Sequence, residues 1–389
     1  MPSLDDYVDR EQAYVKHIFL ERYLEALFHK TGSSYNHIVY IDGFAGPWLS
    51  ANEQFGDTSF GIALSALRKA RASLQQRGRN VTMTAMLVEK RLEAHVKLAM
   101  LQPRFPEISI KTYNSDFRAI VQQLADDIPR DAFAFYLIDP KGWSIPLEGL
   151  RPLLSRRRSE VVFNFMFEFI NRAASMNEHV TAGLDELMPH SNWQQRLRDA
   201  EAAFGRYGLS GDDRKDVLVG AFSDSLKQIG GYEYVAEITI LRPLKDRPIY
   251  CLVYGSRHES GIEVFRDCQM KALHTQAELR AQGKVRATEA KSGQNELFES
   301  MLDMAPDKTA AMLAEAKKKA TAKVLELTPK APDHITYKKL WPAVMTEHAV
   351  RLTDVNTICA DLKKKNELVF LDWEPRGRVP KDHYRMQRA

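Results

Sequence analysis

The sequence of 389 residues predicts an α/β fold with a doubly wound sheet. Short apolar runs rich in β-branched and aromatic residues alternate with segments in which apolar residues recur at helical spacing. Strands that are apolar along their whole length belong to parallel sheets that helices cover on both faces. The predicted strands lie within residues 38–41, 84–90, 108–117, 133–143 and 160–172, the fourth of them stopping at Asp139-Pro140, and the predicted helices lie within residues 11–29, 60–76, 92–101, 117–128 and 147–154.

Two further strands distinguish this sheet from a plain dinucleotide-binding domain. After a polar, helical stretch, apolar runs at 232–242 and 248–258 flank a turn at 243–246. An antiparallel pair that closes a parallel sheet is the pattern of methyltransferase-type Rossmann folds. We therefore expect residues 1–262 to form a Rossmann-like, methyltransferase-type domain with a helical insertion at about 173–230.

The last third of the chain differs in character. Residues 263–330 are charged and rich in Ala, Lys and Glu, which predicts a helical connector. The pattern of residues 331–389 predicts two helices followed by a strand, a turn and a strand. This order of elements is typical of a winged helix. Basic residues near the end of the second helix and on the turn are placed where such domains contact nucleic-acid phosphates: Lys363, Lys364, Lys365, Arg376, Arg378 and Lys381. Protein docking is the alternative use of this fold.

Composition excludes several classes of protein. The three cysteines lie far apart in sequence, so neither a zinc cluster nor a disulfide framework is expected. No run reaches the roughly 18 apolar residues of a membrane span, and the acidic start lacks a signal-peptide pattern, which favours the cytoplasm. The net charge of +4 does not by itself indicate a polyanionic partner. The P-loop, nucleophile-elbow and zinc-protease motifs are missing.

The loop that follows the first strand is the sharpest local signal. It reads Asp42-Gly43-Phe44-Ala45-Gly46, with the aspartate at the strand end and two glycines that let the backbone approach a ligand closely. A tight turn without a ligand is the alternative. Pro47 and Trp48 break the dinucleotide-binding fingerprint, so an adenosine-containing cofactor other than a dinucleotide is expected, with S-adenosylmethionine as the leading candidate.

Two acids follow the next strands. Glu89 ends the second strand, where a carboxylate can accept both ribose hydroxyl hydrogens. Asp116 follows the third strand and is the candidate for the adenine amino group. A solvated acid at a strand end or in a turn is the alternative interpretation of each residue.

The end of the fourth strand carries the candidate catalytic residues. Asp139-Pro140 is followed by Trp143, near the pattern of Asn/Asp-Pro-Pro-aromatic found in methyltransferases that act on amino groups of nucleic acids. Asp139 can accept hydrogens from an amine, and Trp143 can stack on a base. The second proline is absent and the aromatic stands one place later, so packing of Trp143 within its loop is the alternative.

Taken in order, these motifs resemble the three-Cys-motif partner family. The matching segments are YIDGFAGPW, the GIALSAL helix, LVEK, the Asp116 turn, LIDPKGW and VVFNFMFEFINR, together with the helix around Lys16 and Tyr23, over roughly residues 10–260. The resemblance implies a fold related to S-adenosylmethionine-dependent methyltransferases and a partner protein with a three-cysteine motif. It also implies that the loop from Asp42 to Gly46 lines the cofactor, that Glu89 binds the ribose, and that Asp139 forms the catalytic edge.

Two functions follow from these patterns. The first is a methyltransferase-like enzyme that acts on nucleic acid. The second is a binding module whose Rossmann half has lost catalysis and serves a partner protein; Trp48, which stands where the family usually has glycine, and the incomplete motif at Asp139 favour it. The substrate and the oligomeric state are left open by the sequence.

Overall fold

The structure, a computed structural model, describes residues 4–7, 10–46, 50, 55–142, 145–176, 178–205, 208–292 and 308–389. Contacts between residues divide the chain into two compact units, 1–257 and 258–389. The limits expected from the sequence, at 262 and 330, stay predictions, because one compact unit can hold more than one domain.

The N-terminal unit has an α/β architecture built on a sheet that is mostly parallel. Among the described residues the sheet has seven strands: β1 (His37–Asp42), β2 (Thr82–Val88), β3 (Ser109–Tyr113), β4 (Phe133–Ile138), β5 (Ser159–Phe165), β6 (Tyr234–Leu241) and β7 (Pro248–Ser256). Their order is β3-β2-β1-β4-β5-β7-β6. Strands β1 to β5 are mutually parallel, and β7 runs antiparallel to both of its neighbours. The predicted antiparallel pair at the end of a parallel sheet is confirmed.

Helices cover both faces of this sheet. On one face, helix α1 (Glu11–Gly32) packs its Phe28 ring 6.4 Å from the Tyr40 ring of β1. On the other face, the Phe222 ring of helix α9 (Gly211–Gly230) lies 4.7 Å from the Phe163 ring of β5. Both faces are therefore buried, which explains why the strands carry no polar alternation. The helices are α1 (Glu11–Gly32), α2 (Ser59–Gln76), α3 (Leu92–Ala99), α4 (Val121–Asp127), α5 (Arg151–Leu154), α6 (Phe167–Ala173), α7 (Glu178–Leu187), α8 (Trp193–Phe204) and α9 (Gly211–Gly230).

The prediction of a fifth strand over residues 160–172 is wrong for the second half of that segment. Strand β5 ends at Phe165, and the residues after Met166 form helix α6. Within α6, Phe167 and Ile170 are buried three positions apart, whereas Phe169 is 42% exposed. An unbroken apolar run does not distinguish a strand from a buried helix, and only the exposure pattern in the folded chain separates the two.

The start of α2 fixes the far end of the loop that follows β1. The Thr58 hydroxyl accepts a hydrogen bond from the backbone N–H of Gly61 at 3.1 Å and caps the helix. A Cβ on Gly61 would lie 2.0 Å from the Phe55 carbonyl oxygen, so this position requires glycine. The helix entry is thereby held close to the loop backbone.

The C-terminal unit joins long helices to a small sheet. Its elements are α10 (Glu259–Ser292), α11 (Lys308–Leu327), β8 (Ile335–Thr336), α12 (Tyr337–Glu347), α13 (Leu352–Lys364), β9 (Leu368–Phe370) and β10 (Arg385–Arg388). The three strands are antiparallel in the order β8-β10-β9. The buried guanidinium of Arg266 on α10 donates to the carbonyls of Met345 at 2.6 Å and Thr346 at 2.9 Å, which satisfies the C-terminal end of α12.

Candidate functional site

A hollow of about 270 Å³ opens where strands β1, β2, β3 and β4 end. The carboxyl ends of neighbouring parallel strands meet at one edge of the sheet, where open α/β sheets place their ligands. This edge therefore brings together residues that lie up to about a hundred positions apart in the sequence. The lining residues are Gly43, Phe44, Val88, Glu89, Lys90, Arg91, Ser115, Asp116, Phe117, Arg118, Asp139, Pro140, Lys141 and Ile145.

The loop after β1 is tied to the strands on both sides of it. The N–H of Gly43 donates to the Leu137 carbonyl of β4 at 3.1 Å, and the N–H of Ala45 donates to the Val88 carbonyl of β2 at 2.9 Å. A Cβ on Gly43 would meet the Phe117 ring at 3.0 Å. A larger residue at position 43 would therefore press on the Phe117 ring, and glycine allows the close approach of the loop to the wall of the hollow.

Phe44 and Phe117 form an apolar wall of the hollow. Their ring centroids lie 5.5 Å apart in a tilted arrangement, a favourable contact between aromatic rings. Two other predicted loop residues, Ala45 and Gly46, are buried beside the hollow and do not line it. Trp48 lies outside the described residues.

Asp42 faces the interior of the fold. Its carboxylate accepts hydrogen bonds from the Phe44 N–H at 3.0 Å, the Ser59 hydroxyl at 2.7 Å and the Tyr40 hydroxyl at 3.1 Å. Complete burial raises the pKa of Asp42 to about 6, against the lowering effect of these hydrogen bonds. The structure does not place Asp42 in the lining of the hollow; Asp42 joins the loop to the start of α2.

Glu89 lines the hollow from the end of β2 and is 4% exposed. One carboxylate oxygen accepts the backbone N–H of Arg91 at 2.6 Å and lies 3.6 Å from the Arg91 Nε. The Glu89 backbone is also fixed, because its N–H donates to the Tyr113 carbonyl and its carbonyl accepts from the Asn114 amide. The acid is therefore held in one place at the edge of the hollow.

Asp116 lines the hollow as one half of a salt bridge. It accepts from the Arg118 side chain at 2.9 Å and 2.7 Å and from its backbone N–H at 3.1 Å, and the Lys90 ammonium lies 3.3 Å away. The hydrogen bonds from Arg118 hold the pKa of Asp116 well below its ordinary value. An adenine amino group would have to share this carboxylate with two cations.

Asp139 has both carboxylate oxygens engaged. The Lys16 ammonium of α1 donates to Oδ2 at 2.6 Å, and the Asn164 amide of β5 donates to Oδ1 at 2.5 Å. Burial acts to raise the pKa of Asp139, but the charge of Lys16 and the hydrogen bonds from Lys16 and Asn164 outweigh it, so the pKa lies below its ordinary value. Pro140 lines the hollow beside it, and Trp143 lies outside the described residues.

Two residues at this edge were assigned no function from the sequence, although both lie in segments that carry the family resemblance. Lys16 lies 123 positions before Asp139, and its side chain is 14% exposed. The side-chain oxygen of Asn164, a buried residue, has no hydrogen-bond partner among the described residues. The local spacing of neither segment places its residue beside Asp139, so only the folded sheet brings the two residues to that carboxylate.

The six predicted nucleic-acid-binding residues lie in the C-terminal unit at a helix end and on a hairpin loop. Lys363 and Lys364 occupy the last turn of α13, Lys365 follows it, and Arg376, Arg378 and Lys381 lie between β9 and β10. These residues are exposed, except for Lys363, which is half-buried.

Lys363 connects the helix end to the hairpin loop. Its ammonium lies 4.8 Å from the centroid of the Trp373 ring, a cation–π contact. Lys381 forms an ion pair with Glu374 at 2.6 Å, and Lys364 lies 3.5 Å from Asp361. The structure therefore brings the two parts of the predicted surface together.

The described segments contain neither a cluster of metal ligands nor a membrane-spanning helix. No group of three or more histidines, cysteines or acids in these segments could hold a metal ion. None of their helices combines the length and the apolar character that crossing a bilayer requires.

Comparison with known proteins leaves the family open. No protein-family model matches the chain, and no curated protein matches it. Among solved structures, a protein of the DUF519 family from Legionella pneumophila is similar at 13% identity, with 63% of this chain and 85% of that chain covered and a TM-score of 0.34. A loganic acid methyltransferase with SAH is similar at 8% identity, with 70% and 88% covered and a TM-score of 0.30. At these TM-scores neither likeness bears on the function.

Proposed function

We propose that the N-terminal unit is a methyltransferase-like domain that binds S-adenosylmethionine in the hollow and acts on nucleic acid together with a partner protein. The observation that carries this proposal is the meeting of the glycine loop after β1, Glu89 after β2 and Asp139 after β4 around one hollow. The sheet order, with its antiparallel strand β7, supports the same function. The partner, a protein with a three-cysteine motif, is proposed from the motif resemblance.

The lining fits an adenosine group. Phe44 and Ile145 supply apolar surface for a base, and Glu89 supplies a fixed carboxylate for ribose hydroxyls. Gly43 lets the ligand approach the backbone. The volume of about 270 Å³ lies near the lower end of ligand sites, which are on the order of 300–1,000 Å³.

The bound cofactor would supply a methyl group on a sulfonium, a reaction that depends on proximity more than on acid–base help. The contribution of this chain would then be to orient the acceptor. Asp139 is kept ionised by Lys16, so it can accept a hydrogen from an amine. That amine would share the carboxylate with Lys16 and Asn164, which fixes the direction of approach.

Titration calorimetry tests cofactor binding directly. We expect the full chain to bind S-adenosylmethionine and its demethylated product, and Glu89→Gln to weaken both by roughly tenfold, since a hydrogen bond to a charged acceptor is lost. Glu93→Gln, an exposed acid on α3 outside the hollow, is the matched control. Absence of binding at millimolar ligand would overturn the proposal.

A catalytically inactive binding module is the second candidate. Hydrogen bonds that already occupy the acids favour an inactive module. Asp139 accepts from Lys16 and Asn164, and Asp116 accepts from Arg118 and Lys90. Incubation with radiolabelled S-adenosylmethionine and total nucleic acid separates the two functions. Transfer of label by the isolated chain excludes the inactive module, whereas cofactor binding without transfer, even with the partner present, favours it.

The nucleic-acid part of the proposal depends on the C-terminal unit. A short strand, two helices and a hairpin in a three-stranded antiparallel sheet support a winged-helix-like domain. The exposed cations at the helix end and on the hairpin loop suit phosphate contacts. Exposed Val369, Leu371 and Val379 on the same hairpin are the observation that favours protein docking instead.

A further inference from the structure

Each carboxylate of the hollow is followed two positions later by a cation. Glu89-Lys90-Arg91 follows β2, Asp116-Phe117-Arg118 follows β3, and Asp139-Pro140-Lys141 follows β4. Lys90, Arg91, Arg118 and Lys141, called here the basic rim, line the hollow together with the three acids. The same order of charges is therefore repeated at the ends of β3 and β2 on one side of β1 and at the end of β4 on its other side.

The acids lie deeper than the cations. The Glu89 side chain is 3% exposed and that of Arg91 is 53% exposed. At the next strand end the Asp116 side chain is 26% exposed, compared with 45% for Arg118 and 72% for Lys90. Lys141 is exposed, and Asp139 below it is half-buried. The hollow thus has an acidic inner layer and a basic outer layer.

The charges of these two layers do not cancel. Four cations face three carboxylates within the lining, and behind Asp139 the positive charge of Lys16 and the carboxylate of Asp42 offset each other at neutral pH. The mouth of the hollow therefore carries net positive charge, which attracts anions.

The inner acids also hold three of the four rim cations in position. Arg118 lies 2.7 Å from Asp116, Lys90 3.3 Å from the same acid, and Arg91 3.6 Å from Glu89. Cations that are already oriented lose less conformational freedom when they bind a ligand. Arginine and lysine at a ligand entrance are suited to phosphate, through bidentate hydrogen bonds and through charge.

We propose that the basic rim is a phosphate-binding site at the mouth of the hollow. The phosphate belongs either to a nucleic-acid strand brought to the cofactor or to a nucleotide that occupies the hollow itself. This inference rests on the proposed function, because the hollow is taken to hold an adenosine group. Its alternative is a set of surface ion pairs that contribute little to stability and bind nothing.

Ligand pairs that differ by phosphate test the rim in the full chain. We expect ADP to bind at least about tenfold more tightly than adenosine, and the double variant Lys90→Gln/Lys141→Gln to lose this preference. Affinities for adenosine and for S-adenosylhomocysteine, which carry no phosphate, are measured beside it, because Lys90 and Lys141 also line the hollow and any change there must be separated from the loss of the phosphate preference. The matched control is Lys30→Gln/Lys97→Gln, two exposed lysines of the same unit outside the hollow.

A short single-stranded oligonucleotide distinguishes the two phosphate sources. For this measurement, the rim variant Lys90→Gln/Lys141→Gln is compared with a reference protein that keeps both lysines. Both proteins also carry Lys363→Glu and Arg378→Glu, so that oligonucleotide binding by the C-terminal cations does not hide binding at the rim. Loss of the ADP preference assigns the rim to a nucleotide in the hollow. Loss of oligonucleotide affinity with ADP binding unchanged assigns it to a strand.

The inference is overturned if the rim variant binds both ADP and the oligonucleotide as its reference does. Failure of the proposed function gives a different result, since S-adenosylhomocysteine and adenosine then bind neither protein. The oligonucleotide comparison still decides the rim in that case.

Discussion

At the scale of single residues, Asp42 combines complete burial with three hydrogen-bond donors. Burial alone would favour a neutral acid, and the donors favour the charged form. The balance leaves a raised pKa of about 6. Since the carboxylate joins Phe44 to Ser59, the position of the loop that lines the hollow depends on an acid outside it.

We predict that Asp42→Asn removes a pH dependence of stability. An acid whose folded pKa is raised binds more protons when folded, so the free energy of unfolding falls as pH rises from about 4 to about 6. Between pH 4.5 and pH 7.5 the free energy of unfolding of the wild type should fall by roughly 2 kcal/mol more than that of the variant. Urea denaturation of both proteins at the two pH values measures this difference. Parallel curves for the two proteins would contradict the prediction.

We predict that Lys16 and Asp139 are strongly coupled in their contributions to the free energy of unfolding. Both side chains are mostly buried, so removing one partner leaves a poorly solvated charge. We expect Lys16→Met to lower the free energy of unfolding by about 3 kcal/mol at pH 7 and Lys16→Met/Asp139→Asn to recover part of that loss. Since the pKa of Asp139 is lowered by folding, this stabilisation is present above its ordinary pKa and is lost as the pH falls below it. Lys30→Met, an exposed lysine on the same helix, is the control, and purely additive effects in the double-mutant cycle would refute the coupling.

At the scale of elements, predictability from sequence follows the strength of the local pattern. The first helix and the strands β1 to β4 have one dominant pattern each, and the structure contains them within a few residues. The segment 160–172 has no period that separates strand from helix, which is why α6 was missed. Contact between Lys16 and Asp139 depends on α1 crossing the sheet, information that no local spacing contains.

The end of α13 and the hairpin loop are predicted to act together on nucleic acid. We expect Lys363→Glu/Arg378→Glu to weaken duplex binding by at least about tenfold at low salt and to flatten the salt dependence, because fewer counterions are released. Fluorescence anisotropy at several salt concentrations measures both effects. Lys317→Glu/Lys318→Glu changes the charge of the same unit equally at an exposed face of α11.

Two outcomes of this measurement would contradict the prediction, and each has its own meaning. If the control variant weakens binding as much as the test variant, net charge accounts for the effect and the proposed surface is wrong. If the wild type shows no salt-sensitive binding to any nucleic acid, the C-terminal unit docks protein instead.

At the scale of the whole molecule, the sequence predicted which strand ends meet but not how their acids are used. Alternation of strands and helices places Glu89, Asp116 and Asp139 at one edge, and the structure brings these three into one hollow. The side-chain directions depend on tertiary partners: Ser59 and Tyr40 draw Asp42 inward, and Lys16 engages Asp139. Residue types at strand ends therefore indicate a site before they indicate the role of each residue.

Division into two compact units leads to the last prediction, which concerns where a cofactor stabilises the chain. A ligand that binds one folded unit raises the stability of that unit by mass action, by about 2.7 kcal/mol at a hundredfold excess over its dissociation constant. Because the hollow lies wholly within residues 1–257, S-adenosylhomocysteine should slow hydrogen exchange in strands β1, β2 and β4. Exchange in α12 and α13 should not change, since those helices belong to the other unit. Hydrogen exchange followed by mass spectrometry resolves these segments. Equal protection of both units would show that the ligand acts on the chain as a whole, and protection confined to α12 and α13 would move the cofactor site away from the hollow.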